Sequence, residues 1–381
     1  MKKINYLIFV FTLISLFFAL IPNIKTTSYA TNTSAKAMCV LEKDSKRILY
    51  SHNEHQKLPM ASTTKVVTAI TVLNNCDNLE EMIKVDDSAV GVEGTSIYLK
   101  KGETIKVKDL LYGLMLRSGN DSAVALACHV GGSVEGFASL MNELAVSVGA
   151  RNSHFVNPHG LDHKDHYTTA YDLALISAYA LDNPTFKEIV STKNYVIDKT
   201  NKEEKRYLTN KNRLLSSEKG CCGVKTGFTS KAGRCLVSAI ERELMTTVCV
   251  VLNCGPMFEE SANLLNRSFE EYQLIKLIDK NKEIYNEYMI DDNNGKLYLY
   301  TDQDFSYPLK ESEKENIKLT YNVKLNDAKE NQEVGEIQVF YNNHLIKKLK
   351  LYTMNKIDKL IDSKTLLINE LLWEENLNEN K

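Results

Sequence analysis

Apolar residues fall in distinct rhythms along this chain. The first is a block. Lys2 and Lys3 precede a low-polarity run from Tyr6 to Ile21, and Ser28-Tyr29-Ala30 places small residues at a cleavage position. This pattern predicts a secretory signal peptide over residues 1–30. The run is short for a spanning helix, which favours cleavage over a retained anchor. From Ala37 to Tyr50 two apolar segments flank Glu-Lys-Asp-Ser-Lys, a strand–turn–strand signal. Helical stretches follow over Lys65–Leu73, Val107–Leu116 and Asp121–Val130. Asn152–Thr169 reads as a polar loop. Thr169-x-x-Asp172 has the form of a capping box opening a helix over Tyr171–Leu181. Charged Lys199–Arg206 reads as a solvated excursion.

Three apolar runs, Val224–Phe228, Arg234–Ile240 and Met245–Leu252, are separated by turn-like or charged residues and predict an antiparallel sheet. Ser261–Asp279 reads as a helix closing the first domain. From about Glu283 the rhythm becomes alternating, as in Lys296–Tyr300, Ile317–Leu325 and Gly335–Phe340, with Asn342-Asn343 at a hairpin turn. The prediction is a mixed α/β domain over 31–275, with an antiparallel sheet and helix clusters. A small all-β domain follows over 280–354. The tail, 355–381, puts Ile357, Leu360, Ile361, Leu367, Ile368, Leu371 and Leu372 on one helical face. Such a helix suits either packing or peripheral contact with a membrane.

Composition changes this picture little. The 381 residues carry 25% charged side chains and a net charge of −2, so no basic excess points to nucleic acid. Eight cysteines, several inside apolar runs such as Val248-Cys249-Val250, read mainly as buried free thiols. An exported chain leaves room for one or two disulfides.

The candidate chemistry lies in three short motifs. Ser62-Thr-Thr-Lys65 fits S-x-x-K, Ser118-Gly-Asn120 fits S-x-N, and Lys225-Thr226-Gly227 is K-T-G. Ser216-x-x-Lys219, Ser51-x-Asn53 and Ser261-x-Asn263 also fit the first two patterns. Only the set beginning at Ser62 gives all three in this order, which is the order found in serine enzymes that bind penicillin.

Their spacing is physically coherent. Ser62 and Lys65 stand at i, i+3 and share a helix face. A serine hydroxyl needs a base to become a nucleophile. Lysine serves if burial or a neighbouring cation, here Lys225, lowers its pKa. Ser62 N–H, near a helix start, is a candidate oxyanion donor, and Phe228 N–H a second. Asn120 can orient a substrate amide, Ser118 can relay a proton, and Lys225 and Thr226 can hold a carboxylate. Gly227 allows a backbone to lie close to the strand.

With these motifs the chain resembles the low-molecular-mass penicillin-binding proteins, the D-alanyl-D-alanine carboxypeptidases. The resemblance extends through Pro59–Lys65, Leu114–Ala123, Phe155–Leu161, His166–Ala170, Gly223–Thr229 and Ala232–Leu236. It implies a penicillin-binding/β-lactamase-like catalytic domain and a β-rich C-terminal domain. It also implies acylation of Ser62 by peptidoglycan stem peptides ending in D-Ala-D-Ala, without a metal or other cofactor, outside the cytoplasmic membrane, at the cell wall or the membrane surface. β-Lactam antibiotics should trap the same serine. Two departures stand out. Phe228 replaces a histidine common in relatives, so only its backbone role carries over, and Cys254–Leu265 lacks the arginine that helps some relatives bind the terminal carboxylate.

Four other readings compete with this one. A D,D-endopeptidase shares the chemistry. A class A β-lactamase needs a deacylating glutamate, and none occurs between Glu143 and Glu188. A zinc hydrolase would draw on His159-x-x-x-His163 with Asp162, Asp165 and His166. A non-enzymatic wall-binding protein would leave Ser62 inert.

Overall fold

The computed structural model describes residues 33–280, 282, 284–286, 297–324, 329–354 and 365–370. The expected leader, residues 1–30, lies outside them. The chain opens with the hairpin β1 (Ala37–Glu42) and β2 (Ile48–His52), then enters helix α1 (Lys65–Asn75) through a 3-10 turn at Ala61–Thr64. A small hairpin, β3 (Met82–Lys84) and β4 (Thr104–Lys106), leads into α2 (Val107–Tyr112), which continues as a π-turn to Arg117. Helices α3 (Asn120–Gly131), α4 (Val134–Ser147), α5 (Ala170–Ala180) and α6 (Pro184–Ser191) complete the helical layer. The hairpin β5 (Asn194–Ile197) and β6 (Arg206–Thr209) and the short α7 (Leu214–Ser217) come next. Then follow β7 (Cys221–Thr229), β8 (Gly233–Arg242), β9 (Met245–Leu252) and helix α8 (Met257–Glu271).

Strands β2-β1-β9-β8-β7 form one antiparallel sheet with β7 at its edge. Both faces are covered. Ala37, Cys39, Leu41, Val237, Val248 and Val250 pack into the core shared with the helical layer, whereas Met38, Val40, Leu236, Cys249 and Val251 pack with Leu264 and Leu265 of α8. A strand covered on both sides has no polar face, which is why β9 reads as a continuous apolar run rather than an alternation. All eight cysteines are free, five of them buried.

The predicted helix over Ser261–Asp279 is corrected. It ends at Glu271, Tyr272 turns extended, and β10 (Gln273–Ile278) pairs antiparallel with β13 (Phe305–Leu309). Gln-Leu-Ile-Lys-Leu-Ile suits either element, and no glycine or proline marks the break. Strands β11 (Ile284–Asn286), β12 (Leu297–Tyr300), β14 (Ile317–Lys324), β15 (Glu333–Tyr341) and β16 (His344–Thr353) join β17 (Thr365–Glu370) in a six-stranded sheet. Asn342 and Asn343 form the β15–β16 turn with φ of 49° and 62°, as a two-residue hairpin requires.

The helical reading of the tail does not hold for β17. It pairs antiparallel with β14, satisfying backbone groups that an edge strand would leave open. The other tail residues from 355 on lie outside the described set. Lys199–Arg206 is also less free than expected. Arg206 makes a double hydrogen bond to the buried Glu103 carboxylate at 2.7 and 2.8 Å.

The two parts of the chain meet around Arg47. Its guanidinium contacts both Glu313 carboxylate oxygens, at 2.8 and 2.9 Å, and lies over the rings of Tyr272, Tyr307 and Tyr341.

Candidate active site

Ser62 lies in the 3-10 turn immediately before α1, not at a helix N-cap. The turn is held from several sides. Thr63 Oγ1 donates to the Met60 carbonyl at 2.6 Å and Thr64 Oγ1 to the Ala61 carbonyl at 2.9 Å. Ala61 takes a left-handed φ of 50°, a conformation that costs a side-chain-bearing residue about 1–2 kcal/mol. Edge strand β7 passes close by. A Cβ at Gly227 would stand 3.0 Å from Met60 O, Ser62 N and Thr63 N, so glycine is what allows this approach.

Lys65 is fully buried one turn along from Ser62. Its Nζ lies 3.0 Å from Ser62 Oγ, 2.7 Å from Asn120 Oδ1 and 2.7 Å from the His159 carbonyl. The Asn120 amide orientation is fixed, because Nδ2 donates to the Glu93 carbonyl at 2.5 Å. Asn120 Oδ1 and the His159 carbonyl are therefore acceptors only. A neutral amine has two N–H donors and one lone pair. With both donors engaged there, the lone pair faces the Ser62 hydroxyl.

Electrostatics favour that neutral form. Burial pushes the Lys65 pKa well below the ordinary lysine range, the Lys225 cation pushes it further, and Lys211 adds to this against the opposing Asp121 carboxylate. Lys225, buried on β7, is itself lowered to about 7 by burial and then by Lys211. Its Nζ donates to the Thr226 carbonyl at 2.9 Å.

Ser118 ends the π-turn in a left-handed conformation, φ 66°, and is buried. Its carbonyl accepts from Thr95 Oγ1 at 2.7 Å. Gly119 follows, and a Cβ there would lie 2.8 Å from Asp121 Oδ1 and Ser122 Oγ. Asn120 starts α3. The structure thus brings Ser62, Lys65 and Asn120 into direct contact, sets Gly227 against the Ser62 backbone, and couples Lys225 electrostatically to Lys65. Thr226 is partly exposed, and the Phe228 side chain points largely to solvent, 66% exposed.

Sequence reasoning missed the supports. Buried Asp121 accepts from the N–H groups of Ile97 and Leu99 and from Ser96 Oγ, tying the 95–99 loop to the start of α3. A carboxylate inside an Ala-rich buried helix was the available signal. Lys211 carried no signal at all.

The histidine loop, whose spacing would also suit a zinc site, instead braces the Ser62 turn. Val156 N–H donates to His166 Nδ1 at 3.1 Å, so Nε2 bears the proton and donates to Thr64 Oγ1 at 2.9 Å. Burial, with neighbouring histidines adding, holds His166 neutral with a pKa of about 3. His159 Nδ1 accepts from Leu161 N–H. Among the described residues, the loop's His and Asp side chains do not bring three ligand atoms together.

Gly160 closes this brace. Its φ is +90°, and a Cβ would lie 1.9 Å from the Ala61 carbonyl. Gly160→Ala should lower stability by roughly 2–4 kcal/mol through combined φ strain and overpacking. It should also slow acylation, because the adjacent His159 carbonyl holds Lys65. Urea unfolding and penicillin acylation kinetics test this, and wild-type values in both would remove the brace.

Comparison with known proteins agrees with this geometry. Residues 24–255 match the family model described as D-alanyl-D-alanine carboxypeptidase, and residues 272–359 match that of the penicillin-binding protein 5 C-terminal domain. The D-alanyl-D-alanine carboxypeptidase DacF of Bacillus subtilis is 32% identical over 258 residues, covering 66% of each chain. DacD of Escherichia coli is 28% identical over 372 residues, covering 92% of this chain and 93% of its own. The crystal structure of penicillin-binding protein 5 from Haemophilus influenzae superimposes with a TM-score of 0.72 at 26% identity, covering 87% of this chain and 99% of that one.

Proposed function

Because the chain belongs to the D-alanyl-D-alanine carboxypeptidase family, we propose that Ser62 is the nucleophile and Lys65 the base through which it carries out that family's reaction. The activity is that of a serine peptidase acting on peptidoglycan peptides that end in D-Ala-D-Ala, and β-lactam binding is typical of the family. The observation that carries the residue assignment is the buried Lys65 amine 3.0 Å from Ser62 Oγ, its two other contacts both obligate acceptors.

In this reading neutral Lys65 takes the Ser62 proton as Oγ attacks the carbonyl of the penultimate D-Ala. Negative charge on that oxygen is met by Ser62 N–H and Phe228 N–H. Asn120 orients the peptide, and Lys225 and Thr226 hold the terminal carboxylate. The Ser118 hydroxyl relays a proton to the leaving nitrogen, the C–N bond breaks, and D-Ala departs. Water then hydrolyses the acyl-enzyme and restores Ser62. A β-lactam follows the same first step, but its amine stays tethered to the acyl group. With no glutamate between Glu143 and Glu188 to speed deacylation, the penicillin adduct should be long-lived.

We place this activity outside the cytoplasmic membrane, where the predicted leader would deliver it. No single helix among the described residues is long and apolar enough to cross a membrane.

Incubation with a stem pentapeptide tests the reading. One free D-Ala should appear per tetrapeptide, penicillin should block the release, and EDTA should not. A chelator-sensitive, penicillin-resistant activity would contradict it. Lys225→Ala should lower kcat/KM on the pentapeptide roughly 10- to 100-fold, the cost of a lost charged hydrogen bond to the substrate carboxylate. Unchanged efficiency in that variant would remove Lys225 from carboxylate binding.

A further inference from the structure

Away from the Ser62 cleft, the ligand atoms of Cys76, Glu81 and His129 all lie within 4.8 Å of one another. The three residues come from different elements. Cys76 caps the C-terminus of α1, Glu81 precedes β3, and His129 sits in the last turn of α3. The Glu81 N–H donates to the Asn78 carbonyl at 3.2 Å, and its own carbonyl accepts from Val107 N–H at 3.1 Å. The His129 ring and the Glu81 carboxylate already approach to 3.5 Å.

We propose that Cys76, Glu81 and His129 form a binding site for a zinc-class divalent cation. A thiolate, an imidazole and a carboxylate are a borderline-soft set that suits zinc and not magnesium or calcium. Water from the exposed side supplies the fourth ligand. The local field is favourable, since two helix C-termini meet there with their negative dipole ends. As the sulfur–metal bond forms, the Cys76 proton leaves to solvent.

The position gives the site a purpose. Helix α1 carries Lys65 at one end and Cys76 beyond the other. Helix α3 carries Asn120 at one end and His129 near the other. Over its 11 residues α1 spans about 16 Å, so the ion lies far from the reacting serine. It would clip together the outer ends of the two helices whose inner ends hold the Lys65–Asn120 contact. Its role is to support the scaffold, so chelation should lower the thermal midpoint without abolishing D-Ala release.

Cobalt(II) titration of the reduced, chelator-treated protein tests this. The wild type should take up one equivalent with a thiolate-to-cobalt charge-transfer band, and zinc should displace it. Cys76→Ser should lose the band, and His129→Gln should weaken binding at least tenfold. Both variants should be acylated by penicillin like the wild type, which shows that they are folded. No charge-transfer band in the wild type, or a band that persists in Cys76→Ser, would overturn the site.

Discussion

Ser62→Ala is expected to lose essentially all D-Ala release, a fall of at least about 10,000-fold in kcat, as when the nucleophile is removed from other serine hydrolases. The fold should survive. The 3-10 turn is held by Thr63 and Thr64 hydroxyls, by the Gly160 approach and by β7, none of which uses Ser62 Oγ. Circular dichroism and urea unfolding should therefore match the wild type while steady-state release disappears. Substantial residual release from a folded Ser62→Ala protein would move the nucleophile elsewhere.

Substitution of Lys65 should be almost as severe, by an argument that separates base from cation. Lys65→Arg keeps a positive charge but cannot deprotonate near neutral pH. Lys65→Ala removes the amine and leaves Asn120 Oδ1 and the His159 carbonyl short of a donor. Both should slow acylation roughly 100- to 10,000-fold, the range expected for loss of a general base.

The pH profile carries more information still. As pH falls through the lowered Lys65 pKa the amine gains a proton and ceases to be a base, so kcat/KM should fall on the acid side. As pH rises through about 7, free Lys225 loses its charge and with it the hold on the carboxylate, so kcat/KM should fall on the alkaline side. The profile is a bell. In Lys225→Ala the acid limb should move to higher pH, because the Lys225 cation is the second largest cause, after burial, of the low Lys65 pKa. A rate that keeps climbing toward pH 10, or an acid limb unmoved by Lys225→Ala, would contradict a neutral Lys65 base.

Much of the site could be read from the sequence because its chemistry is local. Ser62 and Lys65 are one helical turn apart, and Gly119 and Gly227 sit where a side chain would collide. The supports were hidden because they are long-range. His159 lends a backbone carbonyl to a lysine 94 positions away, an interaction that no side-chain identity announces. His166 belongs by sequence to the zinc alternative, yet Val156 N–H and Thr64 Oγ1 occupy both its ring nitrogens.

In the fold, strands β7 to β9 were recognisable as apolar runs, β8 and β9 because both their faces are covered. The α8–β10 junction was not, since the apolar spacing passes unbroken from a helix through Tyr272 into a strand. The misreading of the tail has a similar cause. Leu367 and Ile368 fit the helical spacing that runs through the tail sequence from Ile357 to Leu372, whereas Thr365–Glu370 pairs with β14 as a strand.

The central claim is that the Lys65 amine activates the Ser62 hydroxyl for attack. Mass spectrometry of the protein after brief exposure to penicillin, with peptide mapping of the adduct, tests it most directly. The account predicts one penicilloyl group per chain, bound to Ser62 and absent in Lys65→Arg at the same exposure. An adduct on another residue, or equal labelling of Lys65→Arg, would contradict it.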